Sequence, residues 1–171
     1  MDALKAIHSR KSVRSYTGAP VSKEDLETLV KAAMAAPTAV NRQPWSFIVV
    51  TDRKTLNTLA DELPFAKMLT KAGAAIIVCA IPGKAHESSR EFAVIDATLA
   101  GENILIAAEA LGLGTVWTSA FPHEDRMIVV RKILNIPVEV IPLNVIPVGH
   151  PVGNEKPKDK YRSENVHWEK W

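Results

Sequence analysis

The sequence predicts a layered fold of interleaved helices and strands, α+β or α/β, and three observations carry that expectation. Ala74 to Ile81 is an unbroken apolar run, the pattern of a strand covered on both faces. Leu26, Leu29, Val30, Ala33 and Met34 recur at helical spacing, as do the apolar residues between Glu91 and Leu111. Patterns of the two kinds alternate along 171 residues, a length that favours one compact domain.

Taken in order, Asp2 to His8 reads as a short opening helix, and Ser9 to Thr17 is too basic and irregular to continue it. Ser22 caps the next helix, in the pattern Ser22-Lys23-Glu24-Asp25, and Pro37 ends it. Trp45 to Val50 is a strand. Thr51 and Asp52 cap a helix running to about Leu63, where Pro64 breaks it, and Phe65 to Lys71 is a further short helix. Ala74 to Ile81 is central in the sheet, and Pro82 to Arg90 is a polar loop. From Glu91 to Leu111 the helix is apolar nearly all round, so it needs cover on every side. Ala93, Ala97, Ala100 and Gly101 permit close packing against a second subunit, which we favour, although burial within one subunit satisfies the same pattern. Gly112-Leu113-Gly114 follows a helix and lacks a third glycine, so it reads as a helix stop and not a dinucleotide loop. Thr115 to Phe121 is strand and turn, and His123 to Leu134 is a helix closed by Asn135 and Pro137. Val140 to Val148 returns as a strand that Pro142 and Pro147 place near an edge or bulge. The polar tail, 151–171, carries Tyr161, Trp168 and Trp171, which a disordered segment would lack; it is expected to be an ordered arm docked on a surface.

Composition excludes several classes of function. With 47% hydrophobic and 23% charged residues the chain is ordinary globular material, and a formal charge of +2 argues against nucleic-acid binding. The single Cys79 lies in the apolar run, where a buried structural thiol is expected and no disulfide can form within the chain, which suits a cytoplasmic location. The opening Met1-Asp2-Ala3-Leu4-Lys5 has no signal-peptide apolar region, and acids interrupt every long apolar segment, so no membrane association is expected. The five histidines are scattered without metal-ligand spacing, so no metal is expected. Hydrolase and kinase motifs are missing.

Two stretches carry binding chemistry. Arg10, Lys11 and Arg14 fall within five residues beside Ser9 and Ser12, a set able to fork onto phosphate oxygens, or simply to form a solvated basic surface. In Ala36-Pro37-Thr38-Ala39-Val40-Asn41-Arg42-Gln43-Pro44-Trp45, prolines stiffen a loop whose carboxamides, Asn41 and Gln43, can read the polar edge of a planar heterocycle. The same loop also serves as an ordinary helix-to-strand connection. Phosphate and heterocycle chemistry without catalytic side chains points to a bound cofactor.

Arg10-Lys11-Ser12-Val13-Arg14-Ser15-Tyr16, the 36–45 loop, Gly112-Leu113-Gly114-Thr115-Val116-Trp117 and Gly149-His150-Pro151 together resemble the nitroreductase-like flavoprotein family, from about Leu4 to the C-terminus. The resemblance implies an α+β fold with a central sheet flanked by helices, and a homodimer with the long helix at its interface and two FMN molecules there. It implies one domain, 1–171, whose arm, 151–171, docks on the partner. By the same resemblance Arg10, Lys11, Ser12 and Arg14 hold FMN, with Arg14 near the N1 and O2 edge. Pro37, Thr38, Asn41 and Gln43 reach it from the partner subunit. Trp117, Thr118, Ser119 and Ala120 lie along the isoalloxazine, where a backbone N–H meets N5; Arg14, Ser119 and Ala120 would therefore tune the flavin, with no side-chain acid or base. Lys160, with Lys158 beside it, stands where relatives carry an arginine for the phosphate. The implied reaction passes hydride from NADH or NADPH to flavin and electrons on to a nitroaromatic, quinone or similar small acceptor. A flavin carrier or sensor without turnover would use the same residues.

Overall fold

A computed structural model describes residues 1–153 and 155–171. Asp2 caps α1 (Ala3–Ser9), Ser22 caps α2 (Lys23–Met34) and Asp52 caps α3 (Arg53–Glu62), each side chain accepting a backbone N–H three residues on. Ser89 does the same for α4 (Arg90–Ala110). This helix ends where Gly112, at φ 75°, lets the Gly112 and Leu113 N–H groups turn back onto the Glu109 and Ala108 carbonyls. Asn135, left-handed at φ 53°, closes α5 (Glu124–Leu134).

The sheet is antiparallel, with β1 (Trp45–Val50), β2 (Ala74–Ala80), β6 (Asn144–Gly149) and β3 (Gly114–Thr115) in that order. Two-residue strands β4 (Thr118–Ser119) and β5 (Ile141–Pro142) pair with β6 and β2. All seven residues of β2 are buried, so it is covered on both faces as the sequence predicts, though between antiparallel neighbours. Helix α4, backed by α1 and α2, packs on β1, β2 and β3; α3 and α5 pack on each other, with α5 reaching β5. Burial raises the Cys79 thiol to about 12, which makes it an inert core residue.

The structure corrects three local expectations. Strand β6 is interior and not at an edge: the ladder towards β3 and β4 is interrupted opposite Ile146 and Pro147, so the residue without an N–H is accommodated inside the sheet. The stretch 82–90, expected to be loop, holds two one-turn 3₁₀ helices, Pro82–Lys84 and His86–Ser88, whereas the short helix expected within 65–71 is present as the 3₁₀ turn Lys67–Thr70. The small residues Ala93, Ala97, Ala100 and Gly101 of α4 are buried within the chain, so the close packing expected of them against a second subunit is internal, and the apolar part of the helix left uncovered is a stripe of Phe92, Ile95 and Leu99, 37–56% exposed.

The packing that most directly serves the site lies at Gly114, where an added Cβ would stand 2.7 Å from the buried Val13 side chain. Gly114→Ala is expected to destabilise the fold by about 1–3 kcal/mol through overpacking. Val13→Ala in the same chain should recover part of that loss, because it removes the two γ-carbons in conflict, at 2.7 and 3.0 Å, and leaves the Cβ at 2.8 Å. Urea midpoints of the two single variants and the double variant measure the coupling, and strict additivity would dismiss the contact.

Candidate functional site

The basic segment after α1 is laid against the sheet by its apolar residues. Val13 is buried and donates its N–H to the Thr115 carbonyl at 2.8 Å, while Ser12 bridges the same residue. Tyr16 is buried too, and its hydroxyl donates to the Val13 carbonyl at 2.8 Å; burial, with the nearby Glu155 charge, raises its phenol far above the usual value. The Gly149-His150-Pro151 turn acts as a clasp: Thr17 N–H donates to the His150 carbonyl, Val152 N–H to the Ser15 carbonyl, and Tyr16 bridges Pro151. The two ends of the chain therefore run side by side.

Between them lies a cavity of about 430 Å³ lined by Arg10, Lys11, Ser12, Arg14, Glu155, Lys156, Lys158 and Lys160. The expected phosphate residues from both ends are thus brought into one cleft. Lys11 enters the cleft already paired: its ammonium lies 2.9 and 3.1 Å from the two Glu109 oxygens on α4, and both side chains are mostly buried. A carboxylate at that distance neutralises it locally. Arg10 has a looser partner, with Nε 3.6 Å from Glu102, which is half exposed.

Among the described residues that line the cleft, Glu155 is the lone carboxylate. One oxygen accepts the Arg14 N–H at 3.0 Å and the Ser15 N–H at 3.2 Å, and the other is buried with no hydrogen-bond partner among the described residues. The Arg14 amide is the main cause holding this carboxyl below its ordinary pKa. The interaction is therefore present at neutral pH and is lost only as pH falls through that depressed value.

The polar loop is a separate structure, and none of Pro37, Thr38, Asn41 and Gln43 lines the cleft. Val40, Asn41 and Gln43 all have positive φ, between 50° and 54°, at a cost of roughly 1–3 kcal/mol each. The loop is held by bonds that do not depend on a ligand: Gln43 N–H donates to the Thr38 hydroxyl, Gln43 Nε2 to Asn41 Oδ1, and Ala39 N–H to both oxygens of Asp96 at 3.2 Å. Asp96 is 3% exposed on α4. Our reading of the sequence missed it, although an acid inside an apolar helix was the available signal. It missed Glu155 too, an acid among tail lysines.

Along β4, Trp117 Nε1 donates to the Ser119 hydroxyl at 3.1 Å, the Thr118 hydroxyl donates to the Val145 carbonyl, and the Ser119 carbonyl accepts from Arg126. The Ala120 N–H donates to the Leu143 carbonyl at 3.0 Å, and the residue is buried. Lys160 and Lys158 are exposed at the cleft's outer wall. Among the described residues no cluster of His, Cys, Asp or Glu has metal-binding geometry, and no helix is long and apolar enough to cross a membrane.

Comparison with known proteins gives a consistent result. The model described as "Nitroreductase family" matches residues 7–64 and 60–150. A relative from Archaeoglobus fulgidus, named "Putative NADH dehydrogenase/NAD(P)H nitroreductase", is 41% identical over 99% of this chain and 99% of its own. A crystal structure under the same name from Parabacteroides distasonis superposes with a TM-score of 0.93 at 48% identity, covering 99% of this chain and 98% of that one. A Desulfovibrio desulfuricans structure, described under the same qualifier as a nitroreductase in complex with FMN, gives a TM-score of 0.84 at 26% identity, covering 100% and 98%.

If Asp96 holds the strained loop, Asp96→Ala should speed amide exchange at Ala39 and its neighbours and cost about 1.5–3 kcal/mol of stability, the range for a charge-assisted bond. Asp96→Asn, which keeps an acceptor, should lose less. Unchanged exchange at Ala39 in the alanine variant would mean that the loop holds itself.

Proposed function

This chain belongs to the nitroreductase family, and from that premise we propose that it is an FMN-dependent oxidoreductase driven by NADH or NADPH, with the flavin phosphate held in the cleft between the N-terminal segment and the tail. The cleft itself carries this reading. Arg10, Arg14, Lys158 and Lys160 surround it, and the Ser12 hydroxyl adds a donor, which is the donor set a phosphate ester requires. FMN held there would supply the redox chemistry, a hydride acceptor for NADH or NADPH and an electron donor to a nitroaromatic, quinone or similarly electron-poor acceptor, in two half-reactions.

The residues bind, orient and polarise. Arg10 and Ser12 hold phosphate and ribityl oxygens, and Lys160, with Lys158 beside it, closes the phosphate end. Arg14 meets the pyrimidine edge of the ring, where its charge stabilises the negative charge that reduction places there. Trp117, Thr118, Ser119 and Ala120 would lie along the ring, where a backbone N–H of this stretch would serve flavin N5. Pro37, Thr38, Asn41 and Gln43 reach the partner's flavin in a homodimer. The exposed Phe92, Ile95 and Leu99 stripe supports that assembly, and exposed Tyr161, Trp168 and Trp171 support an arm docked on the partner subunit. Because the loop's conformation is fixed in advance, little ordering cost opposes flavin binding.

Purified protein should be yellow, bleach with NAD(P)H and recover its colour on adding a nitroaromatic or quinone. Colour that NAD(P)H cannot bleach would indicate a carrier, and protein that binds no FMN would overturn the reading. Arg14→Ala should retain FMN but lower its midpoint potential; an unchanged potential would remove Arg14 from the ring edge.

For the tail, Lys160→Ala should weaken FMN binding by about 1.5–3 kcal/mol, roughly ten- to a hundred-fold, and Lys158→Ala by less. Truncation after Gly153 should also reduce dimer stability, read by sedimentation together with flavin titration. Full FMN affinity in the truncated chain would leave the arm as surface cover.

A further inference from the structure

We propose that Glu155 is a positioning residue for the flavin site, its carboxylate clamping the arginine-bearing segment to the lysine-bearing tail; the inference rests on the reading of this cleft as the FMN phosphate site. Six cationic residues line the cleft with this one carboxylate. By charge alone, an acid there opposes the binding of a phosphate. Its geometry supplies the compensating role. One oxygen accepts both the Arg14 and the Ser15 N–H, which lie in the segment that aims Arg10, Ser12 and Arg14, and the other oxygen is sealed from solvent.

Glu155 is also where the tail is last tied down. Among the described residues no hydrogen bond or ion pair joins 156–171 to the body of the same chain; the tail's later bonds are internal, as from Tyr161 N–H to Asp159. Within the chain, Glu155 and the preceding clasp are therefore the last hydrogen-bonded ties that place Lys158 and Lys160 relative to Arg10 and Arg14.

Charge and geometry predict opposite signs, which makes the inference testable. Glu155→Gln removes the charge and keeps an oxygen acceptor, so it should bind FMN at least as tightly as the parent. Glu155→Ala removes both, and should bind about ten-fold more weakly than the Gln variant. Its flavin potential should also lie below that of the Gln variant, because Arg14 is no longer held. In flavin-free protein, amide exchange at Arg14 and Ser15 should speed up in the Ala variant and be largely preserved in the Gln variant. Should Glu155→Ala yield too little folded protein, Glu155→Ser serves in its place. Equal or tighter FMN binding by both variants would show that the carboxylate acts only as a charge and would overturn the proposal. If the parent protein binds no FMN, the functional reading fails, and the exchange at Arg14 and Ser15 alone decides whether the clamp exists.

Discussion

The constraint on which the rest of the structure depends is the complete burial of β2. A strand with no side chain in solvent needs partners along both edges and apolar cover on both faces, because its backbone groups have no water to bond. β1 and β6 take the edges, and the packing of α4 on three strands supplies much of the cover. Once β6 is fixed beside β2, its far side is open to β3 and β4, and its end leads directly into the Gly149-His150-Pro151 turn. The proposed phosphate cleft lies beside that turn, so its position follows from the core.

Helix α4 links this core to both halves of the site. Asp96 on one of its turns holds the strained 36–45 loop, and Glu109, nearly four turns on, holds Lys11. A side chain buried at one end of a rigid helix therefore shapes the loop offered outwards, and one at the other end sets the charge of the basic segment. Neither acid touches the space proposed for the flavin. Their effect is to decide which donors are fixed and which cations are free.

The electrostatics of the cleft are correspondingly uneven. Lys11 is neutralised by Glu109 and Arg10 is loosely countered by Glu102, whereas Lys158 and Lys160 have no carboxylate within ion-pair distance among the described residues. Glu155 spends one oxygen on backbone amides instead of on a cation's side chain. Cationic side chains thus remain available for an anion while the backbone beneath them is held by one. Such a site binds by preorganisation as well as by charge.

The sequence by itself determined the local elements and the chemistry of the two binding stretches, because these rest on short-range rules. Ser22, Asp52 and Asn135 cap helices wherever the helices lie, and the apolar run of β2 demands burial in any fold. The spacing of Arg10, Ser12 and Arg14, and of Asn41 and Gln43, was equally legible. Tertiary structure alone decided the pairings. Residues 98 apart put Lys11 on Glu109, residues 141 apart put Glu155 on the Arg14 amide, and β6 stands inside the sheet despite Pro147 because the neighbouring ladder breaks opposite it. Whether a given N–H or ammonium is free depends on what the fold brings beside it. For that reason Ala120 and Lys11 read as available donors in the sequence and are bonded within the folded chain.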